Sequence, residues 1–381
     1  MNIIVAPDSF KGSLSSIEAG RIIEKAFALE WKEARVAVIP VADGGEGTVD
    51  ALLYATGGER VELNAKGPEC REIPSFYGIL GDRNTAVIEV AAAVGLQLVP
   101  ETDRNPLQFT SYGVGELMLH ALDKGYREFI IGLGGSATND GGLGMLQALG
   151  AGFSDGEGNA VLPTAASLSD IRSVDFTGLD PRIRHSRLHV ACDVDNPLCG
   201  ESGASAVFGP QKGASPRQVE QLDSGLSVFA ACVEKHLGQS FQHNLGAGAA
   251  GGLGFALLTI GARMESGASL IARAAGIEEK LLAADWLITG EGYTDEQSLR
   301  GKLPYYLSRL AKSNGVPTIL LSGAINIELE VLFDHFDSMH AIASGPLSLE
   351  MSISNAERLL YHKARNIARL LRGFVTNKGS G

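Results

Sequence analysis

Cysteine is scarce in this chain. Only four occur among 381 residues, Cys70, Cys192, Cys199 and Cys232, and no two form a C-x-x-C pair. A zinc ribbon and a disulfide framework are therefore not expected, and free thiols in a reducing cytoplasm are. Positive charge is also short: 32 Lys and Arg face 44 Asp and Glu, for a formal net charge of −12. A protein that grips a phosphate backbone needs a basic surface, so no nucleic-acid partner is expected. The opening Met1-Asn2-Ile3-Ile4-Val5 carries no basic leader, which speaks against a secretory signal. The longest uncharged stretch, Asn244–Ala262, is mostly Gly and Ala in its first half. That is too weakly apolar for a membrane span, so no membrane partner is expected. Familiar phosphate-handling signatures are missing as well. No Gly-x-x-x-x-Gly-Lys-Ser/Thr occurs, and neither do the His-Arg-Asp and Asp-Phe-Gly landmarks. Neither a P-loop enzyme nor a protein kinase is indicated.

Glycine is what the chain has in excess, with 48 residues. They bunch beside apolar, strand-like runs, where a backbone turns sharply or approaches a ligand closely. Asn2–Ala6 reads as a buried strand followed by the turn Pro7–Gly12 and a helix from about Ser16, with Ser15 and Glu18 at capping-box spacing. Val36–Val41 repeats the pattern through Ala42–Thr48. Near the other end, Trp286–Thr289, Thr318–Leu321 and His340–Ala343 each lead into a glycine turn, and a last helix is expected with a cap at Ser354 and Glu357. Strand–turn–helix units at both ends predict an α/β fold of two domains. One is a doubly wound Rossmann/flavodoxin-like parallel-sheet domain built from both chain ends, residues 1–66 and 285–381. The other is an inserted Gly-rich α/β domain, residues 67–284, carrying phosphate-binding loops.

The densest local signal is Gly132–Gly142, between the strand Phe129–Ile131 and a helix at Met145–Leu149. Glycines let backbone N–H groups face an anion, and the helix N-terminus adds partial positive charge. Gly134, Gly135, Ser136, Thr138 and Asn139 are the candidate nucleotide-phosphate ligands, with Lys212 of Phe208–Ala214 as a cation. Gly246–Gly251 fits G-x-G-x-x-G, but Ser240–Asn244 before it makes a poor strand, so a dinucleotide site is not indicated. Lys11, just past the first strand, suits a carboxylate or a moving phosphoryl group, because ligands sit at strand carboxyl ends of open α/β sheets. Ser9, Lys11, Asp43 and Glu46 are the candidate substrate-binding residues. Asp43, Glu46, Glu291 and Asp295 lie in corresponding glycine turns. Carboxylates gathered at one edge repel one another unless a metal or a substrate hydroxyl fills the gap. Asp193 and Asp195, after the strand Leu188–Cys192, join Glu291 as candidate Mg²⁺ ligands, and Lys11, Asp43, Asp193 and Asp295 are the candidate catalytic residues.

Residue reading alone stops at a phosphoryl-handling α/β enzyme. The blocks Ala6–Ser15, Ala42–Thr48, Gly134–Gly142, Cys192–Leu198, Val207–Ala214, Gly248–Gly254, Thr289–Gly292 and Gly301-Lys302 occur in the order of the bacterial type 1 glycerate kinases, which the chain resembles along nearly its whole length. That resemblance implies ATP-dependent phosphorylation of glycerate to 2-phosphoglycerate with Mg²⁺, in a cleft between two domains. A kinase for a related hydroxy-acid such as tartronate or erythronate is the alternative, as is a non-catalytic two-lobed sugar-acid sensor. One departure stands out: after Gly290-Glu291-Gly292 the family usually carries Arg, and here Tyr293 takes that place. The sequence assigns no oligomeric state.

Overall fold

A computed structural model describes residues 1–378 apart from Gln297, Ile327 and Leu329. Among them thirteen strands follow in chain order: β1 (Asn2–Pro7), β2 (Arg35–Val38), β3 (Glu59–Lys66), β4 (Glu72–Ile79), β5 (Thr85–Glu89), β6 (Glu128–Gly132), β7 (Gly152–Ser154), β8 (Ser173–Asp175), β9 (Arg187–Ala191), β10 (Arg263–Glu265), β11 (Trp286–Thr294), β12 (Thr318–Ile325) and β13 (Ser338–Ala341). They divide between two compact units. The first holds Met1–Asp43, Asp50–Gly57 and Ala268–Gly381; the second holds Gly44–Val49 and Gly58–Gly267.

The first unit is built on a five-stranded sheet ordered β13-β12-β11-β1-β2. Every pairing in it is parallel. Read from the β2 edge, that is the doubly wound order in which the chain reverses direction beside its first strand, the flavodoxin-like arrangement. The helix Ser16–Glu30 begins with a full capping box, Ser15 accepting from the Glu18 N–H while the Glu18 carboxylate accepts from the Ser15 N–H. Such a cap contributes about 1 kcal/mol. Its buried residues Ala19, Ile23, Ala26 and Phe27 recur at helical spacing. They share a core with Ile3, Val5, Leu360 and Ile367. Each such aliphatic side chain contributes about 1.5–3 kcal/mol by leaving water. The last helix, Ala356–Lys378, buries Leu359, Leu360, Ala364, Ile367 and Leu371 on one side. Its expected cap is not at Ser354, which ends a separate short helix, Leu349–Ser354, and donates to the Met351 carbonyl.

β11 and β12 approach each other closely at Gly290, where a Cβ would stand 1.8 Å from the Leu321 carbonyl oxygen. Gly290→Ala must push the two strands apart, and we expect a loss of about 1–3 kcal/mol. A denaturation curve that matches the parent would show the strands can yield.

The second unit carries a six-stranded mixed sheet, β10-β9-β6-β5-β4-β3, and the two-stranded antiparallel sheet β7-β8. β3 belongs to this sheet because all eight of its residues pair antiparallel with β4. The reading that kept residues up to 66 with the first sheet is corrected here, and Ala268–Ala284 likewise groups with the first unit. No low-complexity linker marks either crossing, and for β3 the pairing register with β4 decides it. Among the described residues no helix is long and apolar enough to cross a membrane.

Candidate active site

In the first unit, a pocket of about 590 Å³ opens at the carboxyl ends of the parallel strands. Its polar end is built by the chain leaving β1 and by the end of β11. Asp8 continues the ladder beyond β1, its N–H donating to the Gly290 carbonyl at 2.8 Å. A tight turn follows, with Phe10 N–H donating to the Leu14 carbonyl and Leu14 N–H returning to Phe10. Gly12 supplies the left-handed backbone (φ 80°) that the turn requires. Asp8, Ser9, Lys11, Asp43, Glu291 and Asp295 thus line one cavity, with Lys302 beside them. These neighbours lie at the point where the strand order reverses, where open α/β sheets hold ligands.

The electrostatics of this end follow from crowding acids in low dielectric. Asp8 is 5% exposed. Burial, the Asp43 carboxylate and Glu291 push its carboxyl up to about 7, against a Ser9 N–H that donates to it at 2.6 Å and the nearby Lys11. Glu291, also buried, is pushed above the usual carboxylate range by desolvation. Lys302 and a hydrogen bond from Thr294 Oγ1 at 3.0 Å oppose that shift. Lys11 Nζ reaches Asp43 Oδ2 at 3.0 Å, and the Asp43 charge holds the ammonium above its ordinary value. The Lys11 side chain remains 75% exposed, so this pair is a solvent-screened contact of small intrinsic worth. Asp295 accepts from the Ser298 N–H at 3.3 Å, closing the turn after β11.

In the second unit, the segment after β6 is drawn inward. Gly134 N–H donates to Gly44 O, Ala137 N–H to Val94 O, and Gly141 N–H to Gly251 O. Asp140 is fully buried and accepts from Ser111 N–H and Oγ and from the N–H groups of Gly142 and Gly144. The carboxylate therefore occupies the helix N-terminus at Leu143 that a bound anion could otherwise take. Lys212 is 2% exposed and donates to Ser136 Oγ at 3.0 Å and Thr138 O at 2.7 Å. Burial pulls its ammonium down to about 7, with Asp140 opposing. Thr138 and Asn139 are wholly buried, and Asn139 donates to Ser205 Oγ. Gly134 and Gly135 alone of the candidate loop reach the surface. The G-x-G-x-x-G segment packs behind this loop: a Cβ on Gly251 would meet Thr138 O at 2.0 Å.

The glycerate kinase family model matches residues 3–372. The chain is 47% identical over 370 residues to a glycerate kinase of Bacillus subtilis (strain 168), covering 97% of each protein. It is 43% identical over 381 residues to a glycerate 2-kinase of Escherichia coli (strain K12), covering 100% of each. A crystal structure assigned as glycerate kinase 2 from Salmonella typhimurium LT2 superposes with a TM-score of 0.88 at 43% identity, covering 99% of both chains. The chain belongs to the glycerate kinase family. It is an α/β small-molecule kinase.

Against that background the expected residues sort by unit. Ser9, Lys11, Asp43, Glu291 and Asp295 share one pocket. Glu46 groups with the second unit, where it is exposed. Asp193 and Asp195 also belong there, exposed beyond β9. Asp193 accepts the Gly267 N–H at 2.8 Å, which starts the helix Gly267–Ala274. Asp8 also lines the first unit's pocket, and sequence reasoning does not single it out although it stands in the Ala6–Ser15 block. A carboxylate immediately after a buried strand, three residues before Lys11, was the signal available. Two further patterns prove structural. Gly152-Phe153-Ser154-Asp155-Gly156 fits Gly-x-Ser-x-Gly, yet Ser154 ends a strand of the antiparallel β7-β8 pair rather than leading into a strand-to-helix elbow. His185 and His189 are four apart but sit on a 3-10 turn and on β9, and His189 pairs with Glu265. Among the described residues no three of His, Cys, Asp and Glu are grouped to hold a metal ion by themselves.

Proposed function

We propose that this kinase transfers the γ-phosphoryl group of ATP to a hydroxyl of glycerate, giving 2-phosphoglycerate and ADP. The observation that carries this reading is the acidic, lysine-edged end of the first unit's pocket at the reversal point of its sheet. Lys11 would take the acceptor's carboxylate or the moving phosphoryl group, with Ser9 and Asp43 beside the hydroxyls. Asp8 would accept the hydroxyl proton as the new O–P bond forms and the bond to the ADP oxygen breaks. A base poised near neutral is what this step needs, and burial provides it. In the second unit, the surface backbone at Gly134 and Gly135 would meet phosphate, while Ser136, Thr138, Asn139 and Lys212 hold the loop in shape.

A magnesium ion fits this donor set. The Asp43 and Glu291 carboxylates push the buried Asp8 carboxyl up, a repulsion that a divalent cation relieves. Magnesium keeps several waters and asks the protein for only one or two carboxylates, so a cluster of three is not required. Glu291 is the expected ligand that lines this pocket and would hold the ion, whereas Asp193 and Asp195 belong to the second unit. When bound, the ion neutralises charge on the phosphate oxygens.

A coupled ADP-release assay with glycerate, tartronate and erythronate tests the reading, with the product identified by phosphorus NMR. Glycerate should give the highest kcat/KM and a single 2-phosphoglycerate product. Preference for another acid, or phosphate on the terminal hydroxyl, would overturn it.

A further inference from the structure

The acceptor accounts for only part of the pocket. Glycerate is a small, fully polar acid, and about 590 Å³ is space enough for a drug-sized ligand. The remainder has the opposite chemistry: Leu347, Leu349, Ile353 and Leu359 form an apolar wall. Two of these are left in water, Leu349 at 78% and Ile353 at 38% exposure. Tyr293 also lines the cavity and is 53% exposed. Its backbone is fixed by the β11–β12 ladder opposite Ala324, so the ring is presented from a rigid strand. An exposed aromatic ring and an aliphatic wall lining one hollow suit a flat, uncharged aromatic ligand. They do not suit a second hydroxy-acid, whose charge would be desolvated there.

We infer that the apolar end of this pocket binds the purine base of the nucleotide, with the Tyr293 ring as its stacking face. This rests on the proposed reaction for the presence of ATP, and it adds where the base lies. A base seated there leaves its phosphate tail directed to the end that carries Lys11 and Lys302. The cations thus lie at the charged end of the ligand and the aliphatics at the neutral end.

The test compares ADP and inorganic pyrophosphate by calorimetry on the full chain with magnesium, in the parent, Tyr293→Ala and Tyr293→Phe. Base–aromatic stacking lost to alanine is expected to weaken ADP about tenfold. Tyr293→Phe keeps parental affinity, because the ring is retained. Pyrophosphate, which has no base, binds all three alike. In turnover, Tyr293→Ala raises KM for ATP and leaves KM for glycerate within about twofold. Unchanged ADP affinity in Tyr293→Ala, equal weakening of pyrophosphate, or a rise confined to KM for glycerate would overturn the inference. A parent that binds ADP in this ring-dependent way yet phosphorylates no glycerate would sink the proposed reaction and leave the base site standing.

Discussion

Asp8→Asn lowers kcat by about 10²–10⁴-fold, the usual contribution of a positioned proton acceptor. KM for ATP changes little, since the amide keeps the shape of the side chain. The pH dependence separates this role from mere bulk. Protonated Asp8 cannot accept a proton, so the parent's kcat/KM falls as pH drops below about 7 and levels off above it. Asp8→Asn should lose that limb. A stability signature runs alongside. With its folded value raised from 3.8, Asp8 binds more protons when folded than when unfolded between there and about 7, so its contribution to stability declines across that window. Replacing it by the neutral amide should therefore raise the melting temperature at pH 8 while activity collapses. A fully active Asp8→Asn enzyme, or a limb that persists in it, removes Asp8 from the proton path.

Lys11→Ala lowers turnover by at least about tenfold, the equivalent of losing roughly 1.4 kcal/mol from the transition state. The lysine acts through charge on both substrate and site. Its ammonium is one of the influences holding Asp8 down, against burial and Asp43. Removing it should move the acid limb of kcat/KM to a pH above about 7, a displacement that loss of a substrate contact alone does not cause. Because the Lys11 side chain is largely exposed, the substitution leaves the core untouched and the variant folds. An unchanged rate with an unmoved limb would take Lys11 out of the site.

Much of the fold was legible because local signals agreed with one another. The capping box at Ser15 and Glu18, the apolar spacing of Ile23, Ala26 and Phe27, and the glycine turn after Val5 all survive in the structure. Strand partners were less legible. Glu59–Lys66 alternates polar and apolar residues, but nothing in it says which sheet completes its hydrogen bonds, and β4 does. The same limit governs the site. Lys11, Asp43 and Glu291 could be named as chemistry-bearing types in turns. Lys212 read as a loop cation, yet burial turned it inward onto Ser136 and Thr138. Asp140 read as part of a glycine loop, and it fills the helix end beside it.

Residue order alone pointed to a phosphoryl-handling α/β enzyme, since motif spacing and period are properties of neighbours along the chain, and the resemblance of its motif blocks supplied the glycerate kinase family. Only the tertiary structure decided which carboxylate sits near neutrality, which lysine faces solvent and which aromatic ring borders the cavity. Those depend on desolvation and on charges contributed by segments distant in sequence, such as Asp43 and Glu291 acting on Asp8.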